Sequence, residues 1–426
     1  MDPPQLNSGT MASSPFIITE HIIGCQHVRE YPHATRHGDD ALQLVVKRYT
    51  PKSNPDPQPG DVTIIGAHAS GMPKELYEPI WEDTLAKLEH QGVRIRSIWV
   101  ADTASQAASG LLNRQNLGND PSWFDHSRDL LHLINTFKAE MPRPIFGVGH
   151  SLGAGQLILL SLMHPRLLTS LILIDPVLAP DVHTGKGAAF ARASLSAPDK
   201  WASRAAATTF LRKQYRRWDP RAFDRLVEYG LFDTPSGVSL TTSRHQEVIQ
   251  YLRANFSGRK PLVPEHESEE HDAVVHADII GPAHAVAPFY RYEPILAFKL
   301  LKHVRPSVLY VFGERSPIST SEMREEKVER TGRGIGGSGG RSRGRVKEVV
   351  VPAAGHQVPF EDVGGVAAAM AGWLGEEVRR WKVDEERIQR DWGERSVEAR
   401  VSLSGEWETQ LKDSLKRKDK VVRAKL

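Results

Sequence analysis

A serine between two glycines, Gly149-His150-Ser151-Leu152-Gly153, follows the apolar run Ile145-Phe146-Gly147-Val148 and precedes small, then aliphatic residues that Pro165 ends. A hydroxyl in that setting can be a nucleophile, because a sharp turn from strand into helix lifts its oxygen clear of the backbone. Gly149 and Gly153 suit such an elbow, where a side chain would collide with the turn. The Leu152 N–H, at the helix start, would face negative charge developing on a substrate oxygen. Two further matches, 336–340 and 340–344, lie in a Gly/Arg tract with neither flank and are set aside. A nucleophilic serine needs a base, and the chain has 18 histidines. His356 stands out: it follows the strand-like Val346–Val351 through Pro352-Ala353-Ala354-Gly355 and precedes Pro359-Phe360. A loop after a final strand is where a general base for Ser151 is expected.

The elements around these residues alternate between apolar runs and helical patterns, as a parallel sheet wound on both faces requires. Residues 16–29 and 42–49 read as opening antiparallel strands, and 62–67, 94–100, 145–150 and 168–174 as buried strands. Helical periodicity covers 74–90 and 123–137. The strand rhythm stops at Val177 and resumes at 307–312 and 346–351. With the elbow, this predicts an α/β-hydrolase fold: a mostly parallel eight-stranded sheet, helices on both faces, and a helical cap inserted after the sixth strand. The expected organisation is a disordered lead-in (1–15), core (16–176), cap (177–306), core (307–375) and a C-terminal helical extension (376–426). Within the second core segment, 331–345 is almost all Gly, Arg and Ser and reads as a disordered loop.

The acid that should orient His356 is ambiguous. This fold usually places it after the seventh strand, as Gly-x-x-Asp-x-Pro; here the turn is Gly313-Glu314-Arg315-Ser316-Pro317, with serine in the aspartate position. Serine carries no charge to stabilise an imidazolium. Asp175, which ends the sixth strand one strand from Ser151, is the first candidate, and Glu314 the alternative. The second oxyanion donor is expected from Ala67-His68-Ala69-Ser70-Gly71, as the N–H of Ala69 or Ser70 beside that of Leu152. His68 reads as structural.

Composition excludes several classes. The 426 residues carry a net charge of +3 and no basic stripe with interleaved aromatics, so nucleic acid is not an expected partner. No apolar run reaches the ~20 residues of a membrane span. One cysteine, Cys25, excludes an internal disulfide and fits a reducing compartment. No metal or cofactor is expected. The chain ends Ala424-Lys425-Leu426, a variant of the Ser-Lys-Leu peroxisomal address, which predicts an import receptor as a partner and the peroxisomal matrix as location.

Several stretches together carry a resemblance: Gly66-Ala-His-Ala-Ser-Gly-Met-Pro-Lys-Glu-Leu-Tyr-Glu-Pro79, Leu117-Gly-Asn-Asp-Pro-Ser-Trp-Phe-Asp-His-Ser-Arg-Asp-Leu130, Gly149–Gly153, Gly355-His-Gln-Val-Pro-Phe-Glu361 and the C-terminal tripeptide. Over residues 16–375 the chain resembles the fungal peroxisomal α/β hydrolases, which include toxin-biosynthesis hydrolases of filamentous fungi and the yeast peroxisomal lipase. The resemblance implies a small-molecule acyl substrate and a setting in toxin or other specialised-metabolite biosynthesis. Ala107 departs from the pattern, standing where glycine is expected. The reading is a serine hydrolase cleaving an acyl ester or thioester. A non-catalytic ligand-binding protein of the same fold, and a C–C bond hydrolase using the same residues, are the alternatives.

Overall fold

A computed structural model describes residues 14–181, 186–256, 274–279 and 288–423. The expected lead-in lies almost wholly outside the described residues, as does the Ala424-Lys425-Leu426 signal. Two antiparallel strands open the chain, β1 (Phe16–Gly24) and β2 (Gln43–Pro51). Then come β3 (Val62–Ala67), α1 (Glu78–Glu89), β4 (Ile95–Ala101), α2 (Ala107–Leu112) and α3 (Trp123–Thr136). They are followed by β5 (Ile145–His150), α4 (Leu152–Met163) and β6 (Ser170–Ile174). The inserted region holds α5 (Gly187–Ser196), β7 (Lys200–Trp201), α6 (Arg204–Gln214), α7 (Pro220–Tyr229), β8 (Leu231–Thr234) and β9 (Gly237–Leu240). It continues through α8 (Arg244–Tyr251), β10 (Arg253–Ala254) and β11 (Phe289–Tyr290). The core resumes with α9 (Glu293–Leu300), β12 (Ser307–Gly313), α10 (Ser321–Arg330), β13 (Val346–Val351), α11 (Val358–Glu361) and α12 (Val363–Gly393).

Eight strands form one sheet in the order β1-β2-β4-β3-β5-β6-β12-β13, parallel from β4 onward. Its central strands are buried along their whole length because helices cover both faces. On one face, Trp81 and Leu85 of α1 meet Val366, Met370 and Leu374 of α12. On the other, Leu130 and Ile134 of α3 and Leu157 and Ile158 of α4 meet Phe298 of α9 and Val328 of α10. The edge strand β1 exposes Ile17 and Ile22 but interleaves Glu20 and His21, and charged edge residues disfavour pairing with another chain.

Three expectations are corrected here. The insertion is not purely helical: β7, β9 and β8 form an antiparallel sheet, and β10 pairs with β11. Segments of two to four residues are too short for alternation to be read. The insertion also ends earlier than Pro306, since Ala297 and Phe298 of α9 are core residues. The tract 331–345 is ordered rather than loose. Its glycines at 332, 336, 339, 340 and 344 take positive φ, a freedom that lets the chain fold back so that Gly332, Gly334 and Ser338 donate to the carbonyls of Leu301, Lys302 and Val304. Arg333 pairs with Glu329, and Arg341 lies near Glu325, Glu329 and Glu348.

The chain forms two compact units, Met1–Val378 and Arg379–Leu426. The boundary expected at 375/376 falls inside α12, which is continuous because its sequence from Val363 to Gly393 holds no proline. The second unit comprises the end of α12, α13 (Val397–Val401) and α14 (Gly405–Arg423).

Candidate active site

Loops leaving the carboxyl ends of β3, β5, β6, β12 and β13 converge, as ligand sites in parallel sheets do. Ser151 occupies the elbow after β5 at φ 56° and ψ −116°, a strained conformation for a residue with a side chain. The elbow glycines are needed for space. A Cβ on Gly153 would lie 2.3 Å from the Ala67 oxygen, and one on Gly149 2.7 Å from the Ala154 nitrogen. The elbow is laced to the next strand: Ser151 N–H donates to Ile174 O (2.9 Å) and Val177 N–H to Ser151 O (3.2 Å).

The structure brings Ser151, His356 and Asp175 together. His356 Nε2 lies 2.9 Å from Ser151 Oγ, and Nδ1 lies 2.6 Å from Asp175 Oδ2. Asp175 is fully buried. Burial alone would raise its carboxyl, but hydrogen bonds from His356 and Ser316, with the His356 charge, hold it below the usual carboxylate value. Glu314 is not part of this cluster; it is exposed and accepts from the Ala353 N–H at 2.7 Å.

The contacts of two residues beside Asp175 escaped the sequence reading. Ser316, which stands where an aspartate was expected, donates its hydroxyl to Asp175 Oδ2. Lys327 of α10 is fully buried and donates to Ile318 O (2.9 Å) and Pro176 O (3.2 Å), joining the turn that carries Asp175 to the one that carries Ser316. Burial pulls its ammonium down to about 8, against the opposing pull of Asp175. The substituted turn motif was a signal for Ser316. A lysine in the charged α10 pattern gave none for Lys327.

The loop after β3 also needs correction. Ala69 N–H is taken by the Tyr77 hydroxyl at 2.9 Å, so it is not available to a substrate. Among the described residues the N–H groups of Ser70 and Leu152 have no acceptor, which leaves them as the donor pair. His68 is structural: its Nδ1 donates to Ala69 O (2.8 Å) and its Nε2 accepts from Thr103 N (2.8 Å). Ala107 adopts φ 47°, the region glycine favours, and its N–H donates to Thr242 Oγ1 of the insertion at 2.9 Å.

Above Ser151 lies a cavity of about 690 Å³. Met72, Trp123, Phe190, Tyr251, Ile295 and Ile318 give it a largely apolar wall, with Ser151 and His356 also lining it. The Phe190 ring, from α5, stacks on the His356 imidazole with centroids 5.7 Å apart. Among the described residues, no group of three or more His, Cys, Asp or Glu is placed to hold a metal, and no helix is long and apolar enough to cross a membrane.

A model of the alpha/beta hydrolase family matches residues 64–369. The chain belongs to that family. The hydrolase is 39% identical to the type I acyl-CoA thioesterase mpaH of Penicillium roqueforti, over 94% of this chain and 96% of that one. It is 26% identical to the abhydrolase domain-containing protein AFT2-1 of Alternaria alternata, over 65% of this chain and all of that one. Among solved structures, the peroxisomal α/β-hydrolase Lpx1 of Saccharomyces cerevisiae superposes with a TM-score of 0.64 at 17% identity, covering 96% of this chain and 98% of that one. The hydrolase is therefore an enzyme of the α/β-hydrolase fold, with the mostly parallel eight-stranded sheet that the sequence predicts.

Proposed function

We propose that the hydrolase cleaves an acyl thioester, with oxyesters as slower substrates, through an acyl-enzyme on Ser151. The observation that carries this is the chain of contacts Ser151 Oγ–His356 Nε2–Asp175 Oδ2, at 2.9 and 2.6 Å, at the foot of an apolar cavity. His356 Nε2 takes the Ser151 proton as Oγ attacks the acyl carbon, and Asp175 stabilises the imidazolium that forms. The tetrahedral oxyanion receives the N–H groups of Leu152 and Ser70. His356 then returns the proton to the departing sulfur or oxygen, and water activated by the same imidazole releases the acid. Thioester preference is supported by the thioesterase name borne by the mpaH relative, together with its coverage of nearly the whole chain. A protein that only binds a ligand has no need of a buried carboxylate 2.6 Å from that imidazole.

The same proposal places the enzyme in the peroxisomal matrix, delivered by an import receptor that reads Ala424-Lys425-Leu426, in toxin or other specialised-metabolite biosynthesis. Removing Leu426 tests the location: a fluorescent fusion at the N-terminus is expected to move from peroxisomes to cytosol.

The reaction is tested by labelling purified protein with a fluorophosphonate and mapping the adduct by mass spectrometry. Modification of Ser151 that is lost in His356→Ala is expected. Folded protein that takes no label, or labels elsewhere, overturns the proposal. A panel of acyl-CoA thioesters, acyl esters and diketones then separates acyl transfer from C–C cleavage.

A further inference from the structure

His150 immediately precedes Ser151 and contributes to the cavity lining, yet neither of its ring nitrogens is left to react with a substrate. It is buried, and each ring nitrogen is engaged. Nδ1 lies 2.9 Å from the Tyr77 hydroxyl and Nε2 lies 2.9 Å from the backbone oxygen of His356. The Tyr77 oxygen also receives the Ala69 N–H at 2.9 Å.

Proton counting leaves one arrangement. A carbonyl oxygen has no proton, so His150 must donate from Nε2 to His356 O. Nδ1 then carries a lone pair and accepts from Tyr77 O–H. The Tyr77 oxygen, its proton so used, accepts from Ala69 N–H. A doubly protonated His150 would leave the Tyr77 proton without an acceptor. Burial, reinforced by the nearby His356 charge, drives the His150 imidazolium down to about 3, so the ring stays neutral at physiological pH. Three hydrogen bonds thus run in one direction, with no alternative tautomer to relax into.

We infer that Tyr77 and His150 are positioning residues for acyl transfer: one relay, Ala69 N–H to Tyr77 to His150 to His356 O, sets the oxyanion loop and the general-base loop in register with the nucleophile. At one end it turns the Ala69 peptide away from the cavity, which presents the next N–H, that of Ser70, to the oxyanion. At the other end it pins the main chain of His356 while Asp175 fixes its ring. In the middle it is rooted in the residue bonded to Ser151, so all three reacting parts are referenced to the end of β5. Phe360 packs edge-on against both rings, with centroids 5.1 Å from Tyr77 and 5.7 Å from His150, and excludes competing partners.

The relay rests on the acyl-transfer reading, and the test separates the two. Wild type, Ser151→Ala, Tyr77→Phe, His150→Asn, His150→Gln and the double variant Tyr77→Phe/His150→Asn are assayed on p-nitrophenyl butyrate. Active sites are titrated with fluorophosphonate, so that unfolded protein is not counted. Tyr77→Phe keeps the ring packed and is expected to lower kcat about 10- to 100-fold, with KM within about threefold of wild type, the pattern of a lost transition-state interaction. His150→Asn can still accept from Tyr77 but cannot reach His356 O, and should fall as far. His150→Gln, whose amide can reach the Nε2 position, should recover much of the loss. The double variant should be no worse than the poorer single one, because both break the same chain. Losses that multiply in the double variant, that appear in KM alone, or that vanish per titrated site would overturn the relay while leaving Ser151 chemistry standing. Unchanged turnover in Ser151→Ala would overturn both.

Discussion

Core and insertion meet over one cavity but are held by different forces. The core strands β3, β5, β6 and β12 are apolar and buried from end to end, and they fix the reacting groups through parallel hydrogen bonding. The insertion has short elements and is fastened in large part by polar clasps. Arg253 bonds both Asp120 and Asp278 while lying 3.4 Å over the Tyr31 ring. Gln246 and Gln250 of α8 bond Ser105. Among the described residues, the insertion joins the apolar core in part, through residues such as Leu211, Phe223 and Leu226. Chemistry is thus placed on the rigid half, and the cavity wall partly on the half that charge and hydrogen bonding can release.

Breaking each half should give different kinetics. The largest effect belongs to Ser151→Ala, expected to remove acyl-ester turnover by on the order of 10⁶-fold, with an unchanged circular dichroism spectrum. Asp175→Asn should lower kcat by about 10³–10⁴-fold, while Glu314→Gln stays near wild type; steady-state kinetics on one ester decides between them. On the insertion side, Arg253→Met removes the cation from two partly exposed acidic partners and should cost roughly 1–3 kcal/mol of local stability, the penalty of charged groups that lose a hydrogen-bond partner. Its expected signature is faster proteolysis within the insertion and a higher KM, with Ser151 still labelled by fluorophosphonate.

The smallest effect concerns pH. Glu247 of α8 keeps part of its surface exposed, but its carboxyl packs on Gly71 and accepts from Ser194 Oγ at 2.6 Å. Burial raises it to about 7, with Asp199 adding to the rise and Ser194 opposing it. Between pH 4.5 and 7 the folded state therefore holds a proton that the unfolded state has released. Stability from this group is present at low pH and is lost as pH rises to 7. Glu247→Gln should leave Tm unchanged near pH 4.5 and raise it at pH 8; an equal shift at both values would show that the carboxyl does not titrate in this window.

The same contrast governs what could be read from sequence. Long apolar runs with distinctive turns betrayed the core strands, the elbow and His356, and Asp175 was found because it ended a buried strand. Ala107 was recognisable as a glycine substitute, and its positive φ bears that out. The two- to four-residue strands of the insertion carry no periodicity. The Gly/Arg tract was misread because composition reports flexibility, whereas its order comes from carbonyls 30 or more residues away, at 301–304. Lys327 was invisible for a related reason: its partners are backbone carbonyls, which leave no pattern in side-chain types. Tyr77 was invisible because its side-chain partner, His150, lies 73 residues away with no periodicity to link them.

The hydrogen bonds that stitch the Ser151 elbow to the end of β6 have one more effect. Because Ser151 N–H rests on Ile174 O and Asp175 N–H on Val311 O, the proposed nucleophile and acid share a single piece of scaffold and cannot drift apart without fraying the sheet. What remains to be aligned for turnover are two loops, those bearing Ser70 and His356, at the two ends of the relay. A distant substitution that tunes turnover without unfolding the sheet is expected to act through one of those two loops or through the cavity wall that the insertion supplies.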